Sequence, residues 1–232
     1  MTTAATALQF AAGARDIVSA LLLAPKRARA ALVLAHGAGA GMQHPFMESL
    51  AEGLARHDIA SMRFQFPYME KGLKRPDTPA VAMATVRLAV AEAARRLPGL
   101  ALFAGGKSFG GRMTAQAQAD APLAGVHGLV FVGFPLHPAG QPSVKRAEPL
   151  ARVHVPMLFL QGSRDALADP GLIKVVLTRL GDRATLATFA DADHSFHVRK
   201  SSGSSDDTVM RALIDGTADW MLSVVQRQVS VL

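Results

Sequence analysis

The chain has 232 residues, no cysteine, and 25 Lys and Arg against 18 Asp and Glu, a formal charge of +7. Half of its residues are hydrophobic, which suits one α/β domain over residues 1–232 with a sizeable core. Disulfides, thiolate metal sites and cysteine nucleophiles are excluded, no apolar run is long enough to span a membrane, and the basic residues are scattered without the aromatic interleaving of a nucleic-acid surface.

In chain order, residues 17–24 alternate as a strand. Basic residues follow this run rather than precede it, which is not a signal-peptide pattern, so a cytoplasmic protein is the expectation. Residues 31–35 form a short apolar run that reads as a buried strand and ends in His36-Gly37-Ala38-Gly39-Ala40-Gly41. Pro45 opens a helix to about His57. Residues 59–66 read as a strand carrying Arg63, whose charge needs a partner in the interior, with Glu70 and Asp77 as candidates. In the loop 67–77, Tyr68 and Met69 are candidates to wall a pocket. Thr78-Pro79 supplies an N-cap and an N1 proline for a long helix that ends before Pro98.

Residues 100–104 form another apolar run, followed directly by Gly105-Gly106-Lys107-Ser108-Phe109-Gly110-Gly111 and an Ala-rich helical stretch over 112–121. G-x-S-x-G between a strand and a helix is a nucleophile elbow. Its flanking glycines remove Cβ atoms that would clash, and the turn lifts Ser108 above the sheet at a helix N-terminus. Lys107 and Arg112, beside the serine, are candidates to read a substrate carboxylate. A strand over 128–133 and a loop over 134–148 come next. Residues 157–160 then run into Gln161-Gly162-Ser163-Arg164-Asp165. Asp169-Pro170 opens a helix to about Leu180, and residues 185–189 lead to Asp191-Ala192-Asp193-His194-Ser195-Phe196. Ser204-Ser205-Asp206-Asp207 has the look of a capping box for the last helix, which carries Trp220.

This alternation predicts a doubly wound, mainly parallel sheet of about seven strands with helices on both faces. The four polar clusters all follow strands, so they gather at one sheet edge. Neither longer loop has room for a large lid. The site should be shallow and open to water, favouring small or water-soluble substrates.

The chain resembles a small α/β-hydrolase of the dienelactone-hydrolase-like group over roughly residues 31–200. The matching strings are His36-Gly37-Ala38-Gly39, Arg63-Phe64-Gln65-Phe66-Pro67-Tyr68-Met69-Glu70, the Gly-Lys-Ser-Phe-Gly-Gly elbow, Gln161 to Asp165 and Asp193-His194-Ser195-Phe196. Within that group it is similar to the branch holding testis-expressed and NSL-complex-subunit-like proteins. Dienelactone hydrolase itself resembles a cysteine enzyme, so its activity does not carry over to a chain without cysteine.

The resemblance implies a serine hydrolase that cleaves small carboxylic esters through an acyl-enzyme. A thioesterase or small-amide hydrolase with the same triad, and a non-catalytic scaffold on the same fold, are the alternatives. The order Ser108, Asp165, His194 fits this superfamily, with Ser108 as nucleophile, His194 as base and Asp165 as orienting acid. His36 is expected to brace the loop that follows it, and His197 has no motif behind it. Asp191 and Asp193 sit too near His194 in sequence to reach around the ring and read as turn residues; with His194 they make only a weak metal spacing. Backbone N–H groups of Ala38 and Phe109 are the expected oxyanion donors, with Gly39 next after Ala38. No metal or organic cofactor, no nucleic acid and no membrane is implied. The expected partner is a small ester or thioester, and the assembly a monomer or small homo-oligomer.

Overall fold

The computed structural model describes residues 4–13 and 16–229. Among these residues, eight strands form one sheet: β1 (Thr6–Ala11), β2 (Ile17–Leu23), β3 (Ala30–Ala35), β4 (Ile59–Phe64), β5 (Ala101–Lys107), β6 (Val126–Val132), β7 (Met157–Gly162) and β8 (Ala184–Phe189). Across the sheet the order is β1-β2-β4-β3-β5-β6-β7-β8. The β1–β2 and β2–β4 pairs are antiparallel, and every other pair is parallel.

Seven strands lie where the apolar runs placed them, and β1 corrects the count. Only Phe10 of β1 is buried, so this edge strand has no hydrophobic run to announce it. Its ladder with β2, from Thr6↔Leu22 to Ala11↔Ile17, holds it in place.

Strands β3 and β4 are buried along their whole length, as strands covered on both faces must be. Successive side chains therefore serve two cores. Leu32 and Leu34 pack with Met47 of α1 (Pro45–Arg56) and Leu213 of α6 (Asp206–Val229). Val33 and Ala35 face the other side, whose core includes Val86 of α3 (Pro79–Arg96), Met113 of α4 (Phe109–Asp120) and Ile173 of α5 (Pro170–Leu180). Each large side chain buried in this way contributes roughly 1.5–3 kcal/mol.

Helix starts fall where the sequence signals put them, although the Thr78 side chain makes no capping hydrogen bond at the start of α3. Pro79 and Pro170 sit in the first turns of α3 and α5, where a missing N–H costs nothing, and the Asp169 carboxylate accepts the Leu172 N–H at 2.9 Å. Ser205 Oγ accepts the Thr208 N–H at 3.2 Å ahead of α6. The loop 67–77 holds a single helical turn, α2 (Pro67–Glu70), and a 3-10 segment, Lys145–Arg152, closes the loop after β6. Neither covers the sheet edge as a lid.

The partner expected for Arg63 is corrected. Glu70 accepts instead from the N–H and hydroxyl of Ser19, and Asp77 accepts the Tyr68 N–H. Arg63, 2% exposed on β4, donates to the carbonyl of Met42 at 3.1 Å. Burial pulls its guanidinium below the ordinary arginine range, opposed by the charges of Glu48 and Glu52 on α1.

From β3 the chain crosses through α1 to β4 on one side, and from β4 it returns through α3 to β5 on the other side of β3. The strand order thus reverses at β3. Side chains at the carboxyl ends of β3 and β5 meet at that reversal, the place where open α/β sheets bind ligands. Among the described residues, no helix is long and apolar enough to cross a membrane.

Candidate active site

Ser108 sits between β5 and α4 with φ +49° and ψ −111°, a left-handed conformation that costs a non-glycine residue roughly 1–3 kcal/mol. The surroundings leave it no alternative. A Cβ on Gly106 would lie 2.3 Å from the Ala35 carbonyl oxygen, and one on Gly110 2.5 Å from the same atom and 2.6 Å from that of His36. The elbow is therefore pressed backbone to backbone against the end of β3. The Ser108 N–H donates to the Val132 carbonyl at 3.0 Å, which ties the turn to β6 as well.

Ser108 Oγ lies 2.8 Å from His194 Nε2, and His194 Nδ1 lies 2.7 Å from Asp165 Oδ2. The structure thus brings together three side chains from the ends of β5, β7 and β8. The buried Asp165 carboxylate also accepts from Gln161 Nε2 at 2.6 Å and from the Leu167 N–H at 2.8 Å. With Nδ1–H donating to this acceptor, Nε2 is the free lone pair and faces the serine hydroxyl. Gln161 escaped the sequence reading as a functional residue. Its signal was its place four residues before Asp165 at the strand end, and its Oε1 also accepts the Phe134 N–H.

Asp193 Oδ1 accepts the N–H groups of Ser195 and His197 at 2.7 and 3.0 Å. Asp191, at φ +57°, donates its N–H to Ser163 Oγ. Both act within the loop that carries His194. His197 is engaged by Asp206 at 2.8 Å, away from the serine. Among the described residues, no group of three or more His, Asp or Glu side chains is placed to hold a metal ion.

Of the residues considered for substrate contact, Lys107 is committed within the protein. Its Nζ donates to the His194 carbonyl at 2.7 Å and lies 5.0 Å from the ring centres of both Phe46 and Phe196. Burial pulls its pKa down to about 8, opposed by the charges of Asp165 and Asp193. Arg112 lies over the Phe109 ring at 5.8 Å and has no acidic partner among the described residues; burial and Arg146 both lower its pKa. Met69 packs half-buried against the core.

Tyr68 is 1% exposed and points at backbone rather than at open space, its hydroxyl donating to the Ala38 carbonyl at 2.8 Å. Ala38 and Gly39 are exposed at the crevice, while Phe109 is buried and begins α4, where first-turn N–H groups lack helical partners. His36 is fully buried. Its Nε2 accepts the Phe66 N–H at 3.1 Å, which leaves the proton on Nδ1 to reach the Gly37 carbonyl at 2.8 Å. Burial pushes its pKa down to about 4 despite the bond to Gly37.

A family model described as an alpha/beta hydrolase domain matches residues 28–222. The chain is similar in structure to dienelactone hydrolase from Anabaena variabilis, with 19% identity, TM-score 0.75, and 96% of this chain and 99% of that one covered. It is similar to a serine hydrolase without a lid from Xanthomonas campestris, with 20% identity, TM-score 0.73, and 95% and 96% covered. Est1E from Butyrivibrio proteoclasticus, in a structure with ferulic acid bound, matches with 15% identity, TM-score 0.75, and 94% and 99% covered.

Proposed function

Because this chain belongs to the alpha/beta hydrolase domain family, we propose that it is a serine hydrolase of small carboxylic esters, acting through Ser108, His194 and Asp165. The observation that carries this reading is the continuous relay of hydrogen bonds, 2.8 Å from Ser108 to His194 and 2.7 Å from His194 to Asp165. Ser108 Oγ attacks the acyl carbon while His194 Nε2 takes its proton. Collapse of the tetrahedral intermediate breaks the acyl–oxygen bond, and His194 returns that proton to the leaving alcohol. Water then repeats the sequence on the acyl-enzyme and regenerates the serine. The Asp165 carboxylate accepts the Nδ1–H and stabilises the imidazolium that forms. The N–H groups of Ala38 and Phe109 receive the oxyanion, and the guanidinium of Arg112, with no acidic partner among the described residues, favours a substrate bearing an anionic group.

The test is treatment with a fluorophosphonate followed by peptide mass spectrometry. The adduct should lie on Ser108 and be absent from Ser108→Ala, and acetyl to butyryl esters should be turned over only by the wild type. Faster turnover of matched thioesters or amides would reassign the substrate class with the same triad. A folded wild type that takes no label would favour a scaffold role.

A further inference from the structure

Strands β3 and β4 run parallel side by side, with Ala35 opposite Phe64. The chain leaving β3, residues 36–42, therefore travels beside the chain leaving β4, residues 65–68. The first of these carries three glycines in alternation, Gly37, Gly39 and Gly41, and little bonding of its own: Ala40 N–H to the Gly37 carbonyl is long at 3.4 Å. Such a segment has many accessible conformations unless something outside it holds it.

The second segment, together with Arg63 of β4 just before it, does so at nearly every residue. Arg63 donates to the Met42 carbonyl at 3.1 Å, and Gln65 Oε1 accepts the Met42 N–H at 2.8 Å, so the peptides on both sides of Met42 are held. Gln65 lies so close that a Cβ on Gly41 would come 2.8 Å from its Oε1. Phe66 N–H fixes the His36 ring, and the Tyr68 hydroxyl lies 2.8 Å from the Ala38 carbonyl and 3.4 Å from that of Gly37.

The last contact has a directional consequence. The Gly37 carbonyl and the Ala38 N–H belong to one planar trans peptide, so they point in opposite directions. His36 Nδ1 holds that carbonyl at 2.8 Å, and Tyr68 holds the next one along the chain. With the Gly37 carbonyl turned inward by His36 and, at 3.4 Å, by Tyr68, the Ala38 N–H is turned out, and the bond from Tyr68 to the Ala38 carbonyl fixes the peptide on the other side of that residue. It emerges beside the elbow, since a Cβ on Gly37 would lie 4.0 Å from the Ser108 Cβ. The Tyr68 phenol stays a donor throughout the working pH range, because burial and the nearby Asp77 push its pKa up to about 12.

We infer that Tyr68 is a positioning residue for the oxyanion site, and that the string from Arg63 to Tyr68 is a brace that aims the Ala38 N–H. This rests on the reading of Ala38 as an oxyanion donor. It assigns to Tyr68 a role in the transition state rather than in the substrate pocket.

Tyr68→Phe removes one hydroxyl and keeps the ring. Turnover (kcat) on a butyryl ester should fall by about 10-fold or more, short of the roughly 10²–10³-fold lost when an oxyanion donor is deleted. KM should stay within about twofold, and affinity for an alkyl boronic acid, which forms a tetrahedral adduct on the serine, should fall by the same factor as kcat. Amide hydrogen exchange in 37–42 should quicken in Tyr68→Phe and in Gln65→Leu, while exchange in β5 and β6 is unchanged. The exchange measurement needs no substrate, so it tests the brace even if the wild type hydrolyses no ester. Unchanged exchange in 37–42 for both variants would overturn the inference, as would a rise in KM at constant kcat, which would make the ring a substrate wall.

Discussion

Oδ2 of Asp165 receives two donors, His194 Nδ1–H and Gln161 Nε2–H, and Oδ1 receives a third from Leu167. An asparagine amide has only one oxygen, so in either orientation its NH₂ group opposes a donor. In Asp165→Asn the histidine should therefore adopt the wrong tautomer, and kcat should fall by up to about 10⁴-fold with the fold intact by circular dichroism. Asp191→Asn and Asp193→Asn should change kcat far less, and near-wild-type turnover of Asp165→Asn would refute the assignment of the acid. His36 makes a prediction about pH. Its pKa is about 4 in the folded chain against 6.5 in the unfolded one, so between those values the unfolded chain binds more protons. The stability it contributes is complete above pH 6.5 and is lost as pH falls toward 4, a loss on the order of 3 kcal/mol. Urea unfolding from pH 7 to 4 should show this slope in the wild type and a flatter one in His36→Asn, which is less stable at pH 7.

At the scale of elements, two glycine substitutions should act with opposite sign. In Gly110→Ala the new methyl meets backbone carbonyl oxygens at 2.5 and 2.6 Å, which no rotamer change can relieve. A cost of about 1–3 kcal/mol is expected, with a fall in Tm of about 2–12 °C and a loss of serine labelling as the elbow moves off β3. Gly216→Ala, within α6, meets nothing within 4 Å and should stabilise by about 0.4–1 kcal/mol. Differential scanning calorimetry of the two variants checks both. What the sequence makes legible follows the same division between local and distant causes. The elbow, the proline-led helices and the apolar strands are encoded within a few residues of themselves, and all are found in place. Strand β1 is not, because its neighbour β2 supplies the bonds that define it and only Phe10 reaches the core. The partners of Arg63 and Tyr68 were equally hidden. Both bind carbonyls of a chain segment 21 to 31 residues earlier, and a carbonyl carries no side-chain signature.

At the scale of the molecule, the crevice is rimmed by loops, and among the described residues no segment covers it as a lid. Ala38, Gly39 and Ser195 stand exposed around it, and a cleft of about 380 Å³ lies beyond, between Phe46, Phe196 and Met210. A deep groove would reward each added methylene by about 0.8 kcal/mol, close to fourfold in kcat/KM. Here that gain should stop at short acyl chains, and a series from acetyl to palmitoyl esters should reach its maximum near butyryl. A steady rise to palmitoyl would contradict this. The 86-residue span between Ser108 and His194 has a further meaning, for assembly in time. The brace and the Asp165–His194 pair close spans of 21 to 31 residues, whereas the serine–histidine bond joins one half of the chain to the other. Its closure entropy is larger by roughly 0.9 kcal/mol, and it requires both halves to be in place. During refolding, helical signal should return first and a serine able to take a fluorophosphonate last, so the reactivity of Ser108 serves as a clock for the docking of the two halves.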